Sequence, residues 1–197
     1  MAGHYTGNPY KWEGGGANGP HITRYFLAKG WIMPGETVLD AACCTGYGSK
    51  LMALSAKKVI GLEVDEGAVR DAQDWNGAEN VEYHVADLDT CELPDVDIAV
   101  SIETVEHLND MKHFCDQLKK HTKRCIIICT PLGGTSSAYV NEPPGPGTEK
   151  NDFMTMGDIQ KLIADDTWKV FNDFQYGYSG FCIFFKESPK DPYANKE

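Results

Sequence analysis

The chain has 197 residues, with 18 basic against 29 acidic side chains, a formal charge of −11, and 42% hydrophobic content. That length supports one hydrophobic core and is short for two, and an acidic surface is repelled by phosphate backbones, which argues against nucleic acid as a partner. No apolar run approaches the ~20 residues a membrane helix needs, and no charged-then-apolar leader is present, so a soluble cytoplasmic protein is expected.

Residues 1–18 are rich in Gly, Tyr and polar residues without periodicity and read as a flexible arm, in which Tyr5, Tyr10 or Trp12 could close over a ligand. From Pro20 to Lys29 the pattern predicts a helix, with Pro near the first turn and Gly30 past the end. His21, Arg24 and Tyr25 share one face of it at i, i+3 and i+4. Thr37 to Asp40 then reads as a strand buried on both faces, followed by a turn of small residues, Ala41-Ala42-Cys43-Cys44-Thr45-Gly46-Tyr47-Gly48. A helix over Ser49–Ala56 follows, with Leu51, Met52 and Leu54 as its inward positions. Strand, tight turn and helix bring backbone close to a nucleoside-like ligand.

A second strand, 58–63, ends on Glu63, about 20 residues beyond the turn, where an acid can accept from ribose hydroxyls. The helix Glu66–Trp75 precedes a third strand, 81–86, followed by Asp87, and a fourth, 96–101, ends on Ser101. The fifth is Arg124–Cys129, preceded by the basic cluster Lys119 to Arg124, which suits a helix C-terminus. Residues 131–152 hold Gly133-Gly134 and Pro143-Pro144-Gly145-Pro146-Gly147 and read as a substrate lid, since so long a loop in a compact domain is usually functional. A helix over Met156–Ala164 carries Ile159, Leu162 and Ile163 inward, and strands Trp168–Tyr176 and Gly180–Lys186 are close enough to form a hairpin. The tail from 188 reads as disordered.

Strands alternating with helices predict an α/β fold: a Rossmann-like three-layer αβα sandwich with a seven-stranded, mostly parallel sheet and a C-terminal antiparallel hairpin. Ligands bind such sheets beyond the carboxyl ends of the strands, where strand order reverses. Asp40, Glu63, Asp87 and Ser101 all fall at those ends. The seven cysteines include no C-x-x-C pair, and Cys115, Cys125, Cys129 and Cys182 sit at predicted core positions, so most read as small hydrophobes in a reducing compartment.

Taken together, these motifs resemble the class I S-adenosylmethionine-dependent methyltransferases, in the branch related to small-molecule and ubiquinone-type O-methyltransferases, from about His21 to the last strand. The resemblance implies that Asp40, Ala42, Cys44 and Gly46 hold the methionine part, that Glu63 with Val64 binds the ribose, and that Asp87 with Leu88 binds the adenine. It implies further cofactor contacts from Ser101 and from Arg24, the latter as a partner for the methionine carboxylate or, alternatively, as a surface ion pair. The family turn usually has glycine where Ala42 and Cys44 stand; if the backbone there needs φ > 0, Cys44 costs about 1 kcal/mol or more.

After the fourth strand, Glu103, Glu106 and His107 stand at i, i+3 and i+4 and on a helix would share a face. Three readings stay open: a divalent metal site resembling the Glu-x-x-Glu-His run of ubiquinone-pathway and small-RNA 2′-O-methyltransferases; a metal-free general base, His107, oriented by a glutamate; and a structural helix start. The metal reading lacks the lid histidine, with Glu142, Glu149 or Asp152 as substitutes. Function therefore reads as methyl transfer to a small molecule, at oxygen, with a non-catalytic cofactor-binding or regulatory protein as the alternative; a nicotinamide reductase is disfavoured by the missing second glycine.

Overall fold

The structure is a computed structural model, and it describes residues 18–132, 154–177 and 179–186. The arm, nearly all of the 131–152 loop, its candidate acids, and the tail lie outside the described residues. The elements run α1 (Asn18–Lys29), β1 (Thr37–Ala41), α2 (Tyr47–Ala53), β2 (Lys58–Glu63), α3 (Glu66–Asn76), β3 (Val81–Val85), β4 (Val96–Ile102), α4 (Met111–His121), β5 (Thr122–Pro131), α5 (Met156–Ile163), β6 (Lys169–Tyr176) and β7 (Ser179–Phe185). A single 3₁₀ turn, Val105–His107, follows β4.

The seven strands form one sheet in the order β3-β2-β1-β4-β5-β7-β6. The first five pair in parallel and β7 pairs antiparallel with both β5 and β6. Strand order reverses between β1 and β4, so the predicted crevice falls where those two part.

Adjacent residues of the central strands point to opposite layers, and both layers are apolar. Leu39, Ala99 and Ile126 pack with Phe114 of α4, Ile159 of α5 and Trp168. Val38, Ile98 and Ile127 pack with Tyr25 and Ala28 of α1 and Met52 of α2. Burial on both faces is why these strands read as continuous hydrophobic runs. The helix ends follow local chemistry: Asp65 accepts from the Ala68 N–H and Asp110 from the His113 N–H, while Thr155 and Asp158 form a reciprocal capping box.

Three expectations shift. The helix after the first turn begins at Tyr47, not Ser49, and ends at Ala53, leaving Leu54 76% exposed while Gly48, Ser49 and Met52 are the buried positions. Leu54 lies outside because the helix closes at Ala53 and Leu54 is its C-cap. The third strand also has no helix after it: residues 86–95 cross to β4 as a loop. A recess of about 480 Å³ consequently opens on the flank of the sheet over Ile60, Leu62, His84 and Leu93, away from the crevice. Finally, Ala41 belongs to β1, which pairs it with Leu62 on one side and Ser101 on the other.

Candidate active site

The turn after β1 is left-handed at three positions. Ala42 has φ 60, Cys44 φ 49 and Gly46 φ 80. For Gly46 the requirement is twofold, because a β-carbon there would also lie 2.5 Å from the Tyr83 hydroxyl oxygen. Ala42 and Cys44 hold conformations that L-residues disfavour, so the conditional strain raised by the sequence is present in the structure. One local and two long-range bonds hold the turn. The Cys43 N–H donates to the Leu62 carbonyl at 2.9 Å, the Gly46 N–H to the Cys43 carbonyl at 2.9 Å, and the Asn76 amide to the Thr45 carbonyl at 2.8 Å.

Glu63 is fixed by backbone from the turn after β1 and from the residues that follow β2. Its Oε2 accepts the Cys44 N–H at 3.0 Å, and its Oε1 accepts those of Val64 at 2.8 Å and Asp65 at 3.1 Å. A carboxylate offers about four lone-pair sites, so capacity for another donor remains. Asp87 accepts the Asp89 N–H on Oδ1 at 3.0 Å, and its other oxygen meets no donor among the described residues. Its neighbour Leu88 is buried in the core, and Val64 is 47% exposed at the rim. Ser101 is buried beside Ala41, and its hydroxyl has no hydrogen-bond partner among the described residues.

Asp40 is fully buried and accepts from the Tyr25 hydroxyl at 3.2 Å and the Ser49 hydroxyl at 2.5 Å. Burial pushes its carboxyl up to about 7 against those two bonds, with nearby Glu63 adding to the rise. His21, Arg24 and Tyr25 of α1 each fasten a different element. His21 bonds the Tyr47 hydroxyl of α2, Tyr25 bonds Asp40 of β1, and Arg24 donates to Ser179 of β7 at 2.8 Å. Arg24 also pairs with Glu103 at 3.5 Å and is 1% exposed, which rules out the surface ion pair. Burial, then Arg24, drives His21 down to about 4, so it is neutral near pH 7.

Glu103, Glu106 and His107 do not share a helical face. Glu103 ends the β4 path with φ 53, and only the three residues Val105–His107 are helical, as a 3₁₀ turn, so the i, i+3, i+4 spacing has no α-helix to act on. Glu103 Oε1 accepts the Ser179 hydroxyl at 2.7 Å in addition to its ion pair with Arg24. Glu106 Oε2 accepts the Thr130 hydroxyl at 2.7 Å, and its Oε1 lies 3.7 Å from His107 Nε2. The His107 side chain is 58% exposed. Burial first, and Glu103 second, push the Glu106 carboxyl up to about 8. No group of three or more His, Cys, Asp or Glu among the described residues is placed to hold a metal ion. The described residues give the divalent-metal reading no support: Glu103 and Glu106 are engaged with Arg24, Ser179 and Thr130, and the candidate lid acids lie outside the described residues. What the sequence missed is Ser179, Thr130 and Thr104. The hydroxyl of Thr104 donates to the Ala41 carbonyl at 3.2 Å and ties the 3₁₀ turn to the end of β1.

A doubly wound sheet with a left-handed turn after β1 and acids beyond β2 and β3 defines a domain built for a nucleoside-bearing cofactor. Residues 39–126 match a family model described as a methyltransferase domain. A protein of Mycobacterium tuberculosis named a probable S-adenosylmethionine-dependent methyltransferase is 31% identical over 152 residues, 75% of this chain and 51% of that one. A 23S rRNA uracil C5-methyltransferase of Hahella chejuensis is 42% identical over 74 residues, 34% of this chain and 17% of its own. Magnesium protoporphyrin IX methyltransferase from Synechocystis, solved with S-adenosylhomocysteine bound, superposes with a TM-score of 0.70 at 18% identity, covering 86% of this chain and 85% of that one. Over residues 39–126 the chain is similar to a methyltransferase domain, and over 75% of its length to a probable S-adenosylmethionine-dependent methyltransferase. It spans about half the length of the mycobacterial relative. No helix among the described residues is long and apolar enough to cross a membrane.

Proposed function

We propose that this protein transfers a methyl group from S-adenosylmethionine to a small-molecule acceptor, at oxygen. The observation that carries the reading is Glu63, whose carboxylate is held by three backbone N–H groups at the end of β2, next to the left-handed turn, with acceptor capacity to spare. The donor set fits the cofactor. Glu63 suits the ribose hydroxyls and the open oxygen of Asp87 the adenine amino group, with Val64 and Leu88 flanking and Ser101 offering a buried hydroxyl without a partner. Asp40, Ala42, Cys44 and Gly46 form the turn that faces the methionine part. Arg24 acts here by fixing Glu103 rather than as a surface charge.

When bound, the sulfonium supplies a methyl group already activated for transfer. The chain's own residues then have to place the acceptor in line, exclude water and take up the proton the acceptor loses. Glu106 and His107 form the acid–base pair for that proton, with the imidazole toward solvent and Thr130 steadying the carboxylate. The acidic surface favours a small acceptor over a nucleic acid.

The positive φ of Cys44, which puts a thiol where this turn usually has glycine, favours a second reading, a cofactor-binding protein without transfer. Two measurements separate them. Calorimetric titration with S-adenosylhomocysteine should give micromolar binding that Glu63→Ala abolishes; binding unaffected by that change refutes the site. Incubation with methyl-labelled cofactor and a panel of phenols, carboxylic acids and amines should label a hydroxyl-bearing member. A panel with no labelled member, alongside intact binding, favours the second reading.

A further inference from the structure

We propose that Tyr83 and Asn76, two buried polar residues bonded to the turn after β1, are positioning residues that set how tightly the cofactor is held. They do so by keeping the end of that turn in its left-handed course. The inference rests on the cofactor reading above and extends it to residues that do not stand at the strand ends.

Both side chains reach the turn from other elements. Tyr83 stands in the middle of β3 and packs with Cys43 of the turn and with Val69 and Ala72 of α3 in a small core of its own. Asn76 is the last residue of α3. The Asn76 amide donates to the Thr45 carbonyl at 2.8 Å, and the Tyr83 hydroxyl donates to the carbonyls of Gly46 at 3.0 Å and of Asn76 at 2.9 Å. A phenol carries one proton, which these two acceptors share. Two consecutive carbonyls of the turn are thereby tied to β3 and α3. One residue earlier, the Cys44 N–H donates to Glu63 Oε2 at 3.0 Å. A continuous run of bonds and backbone therefore leads from Tyr83 and Asn76 through the turn to the carboxylate that carries the ribose reading.

The chain makes room for the Tyr83 ring at two glycines. A β-carbon on Gly46 would lie 2.5 Å from Tyr83 Oη, and one on Gly61, inside β2, would lie 2.7 Å from its Cδ1. Glycine inside a strand weakens it and marks a place where another group must approach closely. Here that group is the ring. The left-handed backbone at Ala42, Cys44 and Gly46 persists only where its surroundings enforce it. The bond from the Cys43 N–H to the Leu62 carbonyl fixes the start of the turn, and Asn76 and Tyr83 fix its end.

The test is calorimetric titration of the full chain with S-adenosylhomocysteine, which reports the amount of folded protein as stoichiometry and its affinity separately. Tyr83→Phe keeps the ring and removes the hydroxyl; it should weaken binding about fivefold or more while still taking up about one ligand per chain. Asn76→Ala should have the same effect without touching the ring, and it carries the test if Tyr83→Phe does not fold. Ile159→Val, a core change in the opposite layer, should leave the affinity within about twofold of the parent's. The turn itself is read by iodoacetamide labelling of Cys44 without ligand, followed by peptide mass, which should run about threefold or more faster in the variants. A merely structural tyrosine would lower Tm and leave both the affinity and the Cys44 rate alone. Affinity within about twofold of the parent's in the folded variant, Cys44 labelled at the parent's rate, or an equal loss in Ile159→Val overturns the proposal. A parent chain that does not bind S-adenosylhomocysteine would instead sink the cofactor reading on which this one stands.

Discussion

Replacing Arg24 by Met leaves the aliphatic stem in place and removes the guanidinium that meets Glu103 at 3.5 Å and Ser179 at 2.8 Å. Arg24 is 1% exposed and the Glu103 side chain 14%, so the carboxylate cannot recover its lost partner from water. Stranding one member of a buried pair costs about 3–5 kcal/mol. In a domain of this size each kcal/mol shifts Tm by about 2–4 °C. The deficit should depend on pH. Burial already holds Glu103 above its ordinary range while Arg24 opposes that rise, so without Arg24 the carboxyl climbs further. It takes up a proton as the solution is acidified, which relieves the buried charge, and the deficit shrinks from about pH 8 toward pH 6. Adding Glu103→Gln removes the stranded charge altogether, and the double variant should stand within about 1 kcal/mol of the parent. Urea denaturation of the parent, both single variants and the double variant at the two pH values completes the cycle. Losses that simply add in the double variant, with no change between the two pH values, would refute the claim that these side chains are coupled through buried charge.

Two further outcomes follow from the same geometry. Cys44 holds φ 49, where a β-branched side chain fits worst, so Cys44→Val should lie about 1–2 kcal/mol below Cys44→Gly in urea denaturation; equal stabilities would mean the backbone there is not left-handed. Glu106 binds its proton more tightly folded, at about 8, than at its ordinary 4.5. Its contribution to stability is therefore complete below about pH 4.5 and is lost as pH rises through about 8, and Glu106→Gln should flatten that part of the stability–pH profile. Asp40, at about 7, contributes a slope of the same sign that persists in the variant. An unchanged profile in Glu106→Gln would show that this carboxyl is not perturbed by burial.

The strand-ending acids were legible because a parallel sheet converts sequence position into place. Once Val38-Leu39, Val59-Ile60 and Ile98-Ala99-Val100 are read as buried strands, Asp40, Glu63, Asp87 and Ser101 must fall at one rim, whatever the side chains do next. The cost of Cys44 was legible too, but only as a condition, because the sign of φ is set by where the turn must go and not by the residue that occupies it. The Glu-x-x-Glu-His run misled for a related reason. Helical spacing brings residues to one face only if the backbone is α-helical, and here the chain leaves β4 through a left-handed Glu103 into one 3₁₀ turn.

By itself, then, the sequence determined the layering, the rim and the acids that stand on it, all consequences of local periodicity and chain order. The partners of those acids were decided by tertiary structure alone. Arg24 meets Glu103 and Ser179 from positions 79 and 155 residues away, and Thr130 meets Glu106 from 24. No local pattern encodes such pairs. They exist because burial leaves each charged or polar group only the neighbours that packing brings within reach, and packing is a property of the whole sheet and the helices closed over it.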